Sequence, residues 1–272
     1  MQCSRRKTAA WHSVFFCAII MLPAVLLGIF AMIADGVSAA LWGQQAAAFV
    51  VFAPLGLLRR KMQRIPAFAG AAVCLLALAA TLLFPAVGGA KRWLDLGMLH
   101  VNAGMLVLPA MLVLLGDMKC MHPALMIGAA VLCLQPDFSQ LTAFSLGALP
   151  MLWQSRKKRW FSAAAAAFPL ICLMRCAGIP TALEPVAYCE GILAILGGVS
   201  PLMQAAGWLA LAIIPGCFLG RFCFGRSVGA LCLDIYYAVT MLFSLTGQYP
   251  VPFMGFGLSP IAGYWLAYLF IR

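Results

Sequence analysis

Acidic residues are nearly missing from this chain. Seven Asp and Glu stand against 18 Lys and Arg in 272 positions, and charged residues of every kind make up only 9%. Soluble domains carry roughly a quarter of their residues as charges, so a water-soluble fold is excluded. Histidine is scarce too: His12, His100 and His122 are isolated along the chain and are assigned no role. The eleven cysteines include no CxxC or Cys/His spacing, so no metal site is assigned. Most of them (Cys17, Cys74, Cys133, Cys172, Cys217, Cys232) lie in apolar stretches, where a thiol behaves as a small hydrophobe. Only Cys176 and Cys189 share an expected exterior loop, which makes a disulfide between them the one pairing to test. There is no fixed-period repeat, no linker and no soluble segment. Residues 1–272 are therefore expected to form a single transmembrane domain.

What fills the chain is apolar: 65% of residues are hydrophobic and mean hydropathy is +1.02. A bilayer core of ~30 Å asks for about 20 apolar residues per helix. Apolar runs between polar punctuation give ten spans, roughly 12–33, 37–56, 66–86, 99–116, 123–135, 140–153, 160–175, 191–218, 227–246 and 255–271. The expected fold is all-α, a polytopic helical membrane protein of about ten transmembrane helices. The N-terminal Met1–Lys7 resembles the basic region of a signal peptide. The apolar stretch behind it runs too long for one and reads as a first membrane helix.

Placement of cations sets the orientation. With the N-terminus inside, interior segments hold Arg5, Arg6, Lys7, Arg59, Arg60, Lys61, Arg64, Lys119, Arg156, Lys157, Lys158, Arg159, Arg221, Arg226 and Arg272. Only Lys91, Arg92 and Arg175 fall outside. Ten spans with both termini cytoplasmic follow. The net charge of +11 therefore answers to topology and membrane lipid, not to nucleic acid.

Once those anchors are set aside, the remaining polar residues gather in exterior segments. In Gly88–Gly97, Lys91 and Arg92 run against the positive-inside bias. They can hold a phosphate or pyrophosphate, or form a local ion pair with Asp95 beside an interfacial Trp93. In Leu134-Gln135-Pro136-Asp137, Asp137 reads either as a helix N-cap or as a carboxylate facing an outer cavity. The loop Arg175–Glu190 carries Glu184, Pro185, Tyr188 and Glu190. Partial desolvation at the mouth of span eight suits Glu190 to general-base work, although a lone carboxylate there is also an ordinary helix-start residue. Asp234 near the inner end is expected to pair with Arg226 or Arg221. Finally, Thr246–Pro260 breaks the apolar run with prolines and glycines, and such a break survives in lipid only where protein or a water-filled cavity shelters the backbone.

Three of these segments, in order and on one expected side, resemble the SEDS family (FtsW, RodA and SpoVE) of bacterial shape, elongation, division and sporulation proteins. Gly89-Ala90-Lys91-Arg92-Trp93-Leu94-Asp95-Leu96-Gly97 is similar to the family's G-x-x-R-W-L-x-L-G loop. Leu134-Gln135-Pro136-Asp137 matches L-Q-P-D. Thr246–Ser259, one residue shorter between Gly247 and Pro250, resembles T-G-x-x-x-P-x-P-F-x-x-x-G-x-S through Pro250, Pro252, Phe253, Gly257 and Ser259. The resemblance covers essentially the whole chain. It implies a multi-pass protein of the bacterial cytoplasmic membrane acting in peptidoglycan synthesis, for division, cell shape or sporulation. The implied reaction is glycosyl transfer, polymerising glycan from lipid II, an undecaprenyl-linked precursor. Pro185–Ala194 falls where the family has P-E-x-H-T-D-F-I-F-A, so Glu190 would replace the catalytic Asp and Tyr188 stands where the family has His. The same resemblance assigns substrate contacts to Lys91, Arg92, Trp93, Gln135, Asp137, Pro252 and Ser259. It also implies a class B penicillin-binding protein as partner. No cofactor is assigned, with room left for a divalent cation. Departures are concrete: Asn102–Leu108 replaces Q-P-S-E-x-x-K, the exterior loop before Glu190 is short, and Gly255–Pro260 replaces S-Y-G-G-S-S. Two alternatives stay open: a non-catalytic scaffold that binds such a partner or precursor, and a lipid flippase or transporter.

Overall fold

The computed structural model describes residues 2–97, 99–155, 159–178 and 184–271, with side chains from Val14 onward. The expected anchors Arg5, Arg6 and Lys7 (as side chains), Arg156, Lys157, Lys158 and Arg272 lie outside this description. Twelve helices and one small hairpin follow in order among the described residues. They are α1 (Gln2–Ala34), α2 (Ala39–Leu55), α3 (Arg59–Met62, joined to α2 by a 3-10 turn), α4 (Ala67–Ala80), β1 (Trp93–Asp95), β2 (His100–Asn102) and α5 (Ala103–Gly116). Then come α6 (His122–Leu134), α7 (Phe138–Gln154), α8 (Arg159–Ala177), α9 (Ile192–Val199), α10 (Pro201–Gly225), α11 (Val228–Ser244) and α12 (Ser259–Phe270). Each expected span coincides with a helix or a broken helix. Among the described residues, four stretches are both long and apolar enough to cross a bilayer by themselves: Val14–Ala34, Ala39–Met62, Arg159–Ala177 and Pro201–Gly225.

Two boundaries differ from expectation. The fourth span begins as a strand: β1 and β2 pair antiparallel, and the helix starts only at Ala103, where the Asn102 side chain accepts the Met105 N–H at 3.0 Å. The eighth span is cut in two. Ser200 is fully extended, its Oγ accepts the Met203 N–H at 3.1 Å, and Pro201 opens α10, so two helix ends are satisfied where one continuous helix was expected.

Helices α5 and α12 form the centre, buried along nearly their whole length. A helix apolar on every side belongs there. Gly263 of α12 sits directly against the Met105 carbonyl of α5, and any side chain would drive the two helices apart. At one end of the bundle, Arg59 donates through Nε and Nη2 to the Ile271 carbonyl (3.2 and 2.5 Å) and lies 5.2 Å from the Tyr268 ring centroid. Gln63 donates to the same carbonyl at 2.9 Å. A cation on the last carbonyls of a helix is favourable against its dipole. This is the end that the charge rule places inside.

At the opposite end the Pro/Gly break folds back into the bundle, and Val251–Gly255 is buried. Its freed carbonyls find partners. Gln45, a buried amide on α2, donates Nε2 to Phe253 O at 2.6 Å and Met254 O at 3.1 Å. Phe253 itself takes a left-handed backbone (φ 67°), which only a tightly held loop imposes on an aromatic residue.

Candidate active site at the outer end

A cavity of about 300 Å³ opens at this outer end, between the β1–β2 hairpin, the starts of α5, α7 and α12, and two loops. The first loop, Glu184–Glu190, is stitched to the second, Leu245–Leu258, backbone to backbone. Val251 N–H donates to Cys189 O at 3.1 Å and Phe256 N–H to Tyr188 O at 3.1 Å, with the Tyr188 and Phe256 rings edge to face. Gly255 lies so close to the Cys189 carbonyl that no side chain fits there. That is the physical demand for a glycine at this position of the chain.

On the cavity wall, Arg92 and Asp137 form a buried pair, 7% and 1% exposed, with Arg92 Nε 3.4 Å from Asp137 Oδ2. Arg92 Nη2 also donates to Pro136 O at 3.3 Å. The other oxygen, Asp137 Oδ1, accepts from Ser139 Oγ at 3.0 Å and from Gln140 N–H at 3.2 Å, capping α7. Both sequence readings of Asp137 therefore hold at once: it caps a helix and faces a cavity. The expected ion pair between Arg92 and Asp95 does not form, because the backbone of β1 turns Asp95 toward β2. There Asp95 Oδ1 lies 3.6 Å from His100 Nδ1 and accepts the Gly97 N–H at 3.0 Å.

Glu190 lines the same cavity, half-buried, and its Oε2 accepts the Val186 N–H at 2.8 Å. Trp93 and Ser259 line it too, and Ser259 Oγ accepts the Asn102 N–H at 2.9 Å, tying α12 to the hairpin. Burial and the Glu190 carboxylate beside it push the Cys189 thiol well above its ordinary range. Tyr249 is raised by burial too, the nearby Arg92 pulling the other way.

Three residues singled out in the sequence are not on the wall. Lys91 donates Nζ to Leu82 O at 3.0 Å. Gln135 is 1% exposed and spends its amide on α4 and the turn after it, donating to Leu78 O at 2.8 Å and Thr81 Oγ1 at 2.6 Å. Pro252 is buried in the re-entering loop behind the lining. The Cys176–Cys189 disulfide is absent: Cys176 Sγ approaches Cys133 O on α6 at 3.7 Å, whereas Cys189 Sγ points to Phe256 O at 3.5 Å. Asp234 makes no ion pair with Arg221 or Arg226. His100, Asn102 and Gln248 line the cavity without having been singled out. His100 sits in no motif, Asn102 opens a stretch that departs from one, and Gln248 fills a variable position of the last; only the period-two spacing of a strand would have placed His100 and Asn102 beside Trp93. No cluster of three or more metal-ligating side chains occurs among the described residues.

No protein-family model matches the chain, and no curated protein matches it. Two solved structures share its fold. An aspartate-to-alanine mutant of the rod shape determining protein RodA from Thermus thermophilus superposes with a TM-score of 0.69 at 16% identity, covering 94% of this chain and 96% of that one. RodA itself superposes at 0.64 and 15% identity, covering 94% and 95%. The fold is therefore the polytopic helical fold of RodA, in agreement with the SEDS-like architecture expected from the three motifs.

Proposed function

We propose that the chain is a shortened SEDS protein of the bacterial cytoplasmic membrane that polymerises glycan from lipid II. The observation that carries this reading is convergence: Glu190, Arg92 and Asp137, from three separate segments, share one outer cavity on a RodA-like fold. In the mechanism, Glu190 takes the proton of an acceptor sugar hydroxyl. That oxygen attacks the anomeric carbon of a second lipid-linked sugar, the bond from that carbon to the diphosphate breaks, and undecaprenyl pyrophosphate leaves. Val186 N–H holds one Glu190 oxygen and so orients the other toward the acceptor. Arg92 offers a guanidinium to the departing charge. Glu190→Gln keeps the shape and removes the base. General-base catalysis contributes typically 10²–10⁴-fold, so polymerisation by the purified variant should fall by about that factor. Undiminished product would take Glu190 out of the mechanism.

A second reading is favoured by one detail. Arg92 is already matched by Asp137, and Glu190 is already bonded within its own turn. A protein that kept the scaffold and lost the chemistry would look the same, and would act by holding a class B penicillin-binding protein. Co-purification with such a partner, and no polymer with or without it, would favour this second reading. The flippase alternative gains nothing from the cavity, whose lining comes from the outer ends of the elements.

A further inference from the structure

Three of the eleven cysteines meet at one helix contact. Cys133 stands in the last turn of α6, and Cys172 and Cys176, one turn apart, stand in the last two turns of α8. Both helices run toward the outer side, so these thiols lie at one level near the exterior boundary. Their contacts are reciprocal. Cys133 Sγ lies 3.6 Å from Cys172 O, and Cys176 Sγ lies 3.7 Å from Cys133 O. The Cys172 carbonyl is the one an α-helix bonds to the Cys176 N–H, so Cys133 Sγ rests over the turn that carries Cys176. The Cys133 thiol also touches the Cys172 and Cys176 thiols themselves. All three are buried free thiols in this structure.

The backbone around them favours a closer tie. The buried face of α8 is made of small residues, Ala165, Pro169, Cys172 and Cys176, and these four are all that is buried of its 19 residues. Small residues let helices approach closely, and a disulfide needs that closeness, with Cβ atoms about 3.5–4.5 Å apart. The rest of α8 turns away: Leu170, Ile171 and Met174 are exposed, and its packing is chiefly on α6 and α7. Few buried contacts therefore hold this helix. The end of α6 is placed differently, because it leads straight into the cavity wall. There Gln135 O accepts the Lys91 N–H at 3.3 Å and Pro136 O accepts from Arg92.

We propose that Cys133 and Cys176 form a disulfide that fastens the outer end of α8 to the end of α6, behind the cavity wall. The outer side of a bacterial membrane is a compartment where disulfides persist. The step is exchange with a protein disulfide on that side. Cys176 lies in the final turn of α8, where helices fray, and so meets the carrier first. Its thiolate attacks one carrier sulfur, and the other carrier sulfur leaves. Cys133 then attacks Cys176 Sγ in the mixed disulfide. The Cys133–Cys176 bond forms, the bond to the carrier breaks, and the carrier departs as a dithiol with two electrons and two protons. Cys172, a turn deeper, stays a thiol. The bond does not depend on the transferase reading, since a non-catalytic scaffold would carry it equally.

The test uses the full chain, expressed in a bacterium with its exterior thiol-oxidising system intact. Membranes are treated with N-ethylmaleimide before lysis, and the purified protein is digested with pepsin at acid pH, where exchange is suppressed. Mass spectrometry should find the Cys133 and Cys176 peptides joined, with two fewer alkylated thiols than in the reduced chain. Cys133→Ala or Cys176→Ala should remove the joined pair, whereas Cys189→Ala should leave it. In lipid nanodiscs the oxidised wild type should unfold several degrees above the same protein after reduction, and Cys176→Ala should show no such gap. Free thiols at both positions overturn the proposal, as does a bond from Cys133 to Cys172 or from Cys176 to Cys189. Equal unfolding temperatures with the bond in place would overturn its role as a fastening.

Discussion

The two ends of the bundle use arginine differently. At the inner end Arg59 rests on the final carbonyl of α12 and the Tyr268 ring, where it satisfies a helix terminus and fixes topology. At the outer end Arg92 is buried against a carboxylate, in a protein whose other exterior segments hold few cations. A cation at a helix end stabilises by a modest dipole interaction. A buried pair commits two charges to each other, so either partner alone becomes a liability. The inner arrangement holds a helix end; the outer one is a buried pair on a cavity wall.

The largest expected effect comes from breaking the outer pair. Arg92→Ala leaves Asp137 buried and unmatched, at a cost of about 3–5 kcal/mol. Thermal unfolding in detergent should show a large loss for Arg92→Ala and for Asp137→Ala, and much less for the double replacement Arg92→Met with Asp137→Leu. Equal losses in all three would mean that the pair is not coupled. Next comes Gln45→Leu, which strands two carbonyls of the re-entering loop. About 1–3 kcal/mol is expected, together with faster proteolysis between Gln248 and Gly257 from the outer side. A smaller, chemical effect sharpens the picture of the cavity itself. Because burial and the Glu190 charge raise the Cys189 thiol, Glu190→Gln should speed its alkylation at a fixed mildly alkaline pH; an unchanged rate would separate the two groups. Smallest is Arg59→Ala, expected to cost about 0.3–1 kcal/mol. A loss as large as that for Arg92→Ala would erase the distinction between the ends.

Much of the architecture was legible in advance, for a physical reason. Lipid forces every backbone group to bond within its own helix, so apolar run length alone gives the spans, and Lys and Arg give their polarity. Short-range geometry was less visible. Of the hairpin, β1 lay in a segment read as an exterior loop and β2 hid at the start of an expected span, because Val101 and the following apolar residues read alike as strand or helix. The cut at Ser200 hid because Ser-Pro inside an apolar run is only a weak signal, although Ser200 and Pro201 are a cap and a first-turn proline. Gln135 shows a different failure. Its motif placed it among candidate contacts, but a buried amide binds whichever carbonyl lies nearest, and that was Leu78 on α4. Nor could the sequence say that Asp95 would serve His100 and leave Arg92 to Asp137, since that depends on which way a three-residue strand turns.

The Gln45–Phe253 bond has a consequence for how the protein is made. Its partners are 208 residues apart, and those of the Arg59–Ile271 bond 212. A ribosome delivers α2 long before the loop that Gln45 must seal. For most of synthesis the amide and the outer mouth wait for a segment not yet emerged. The cavity acquires its last wall only as α12 is inserted. Chains that stall in α11 would carry Arg92, Asp137 and Glu190 without an enclosed site, and a quality-control protease could recognise them by the open mouth.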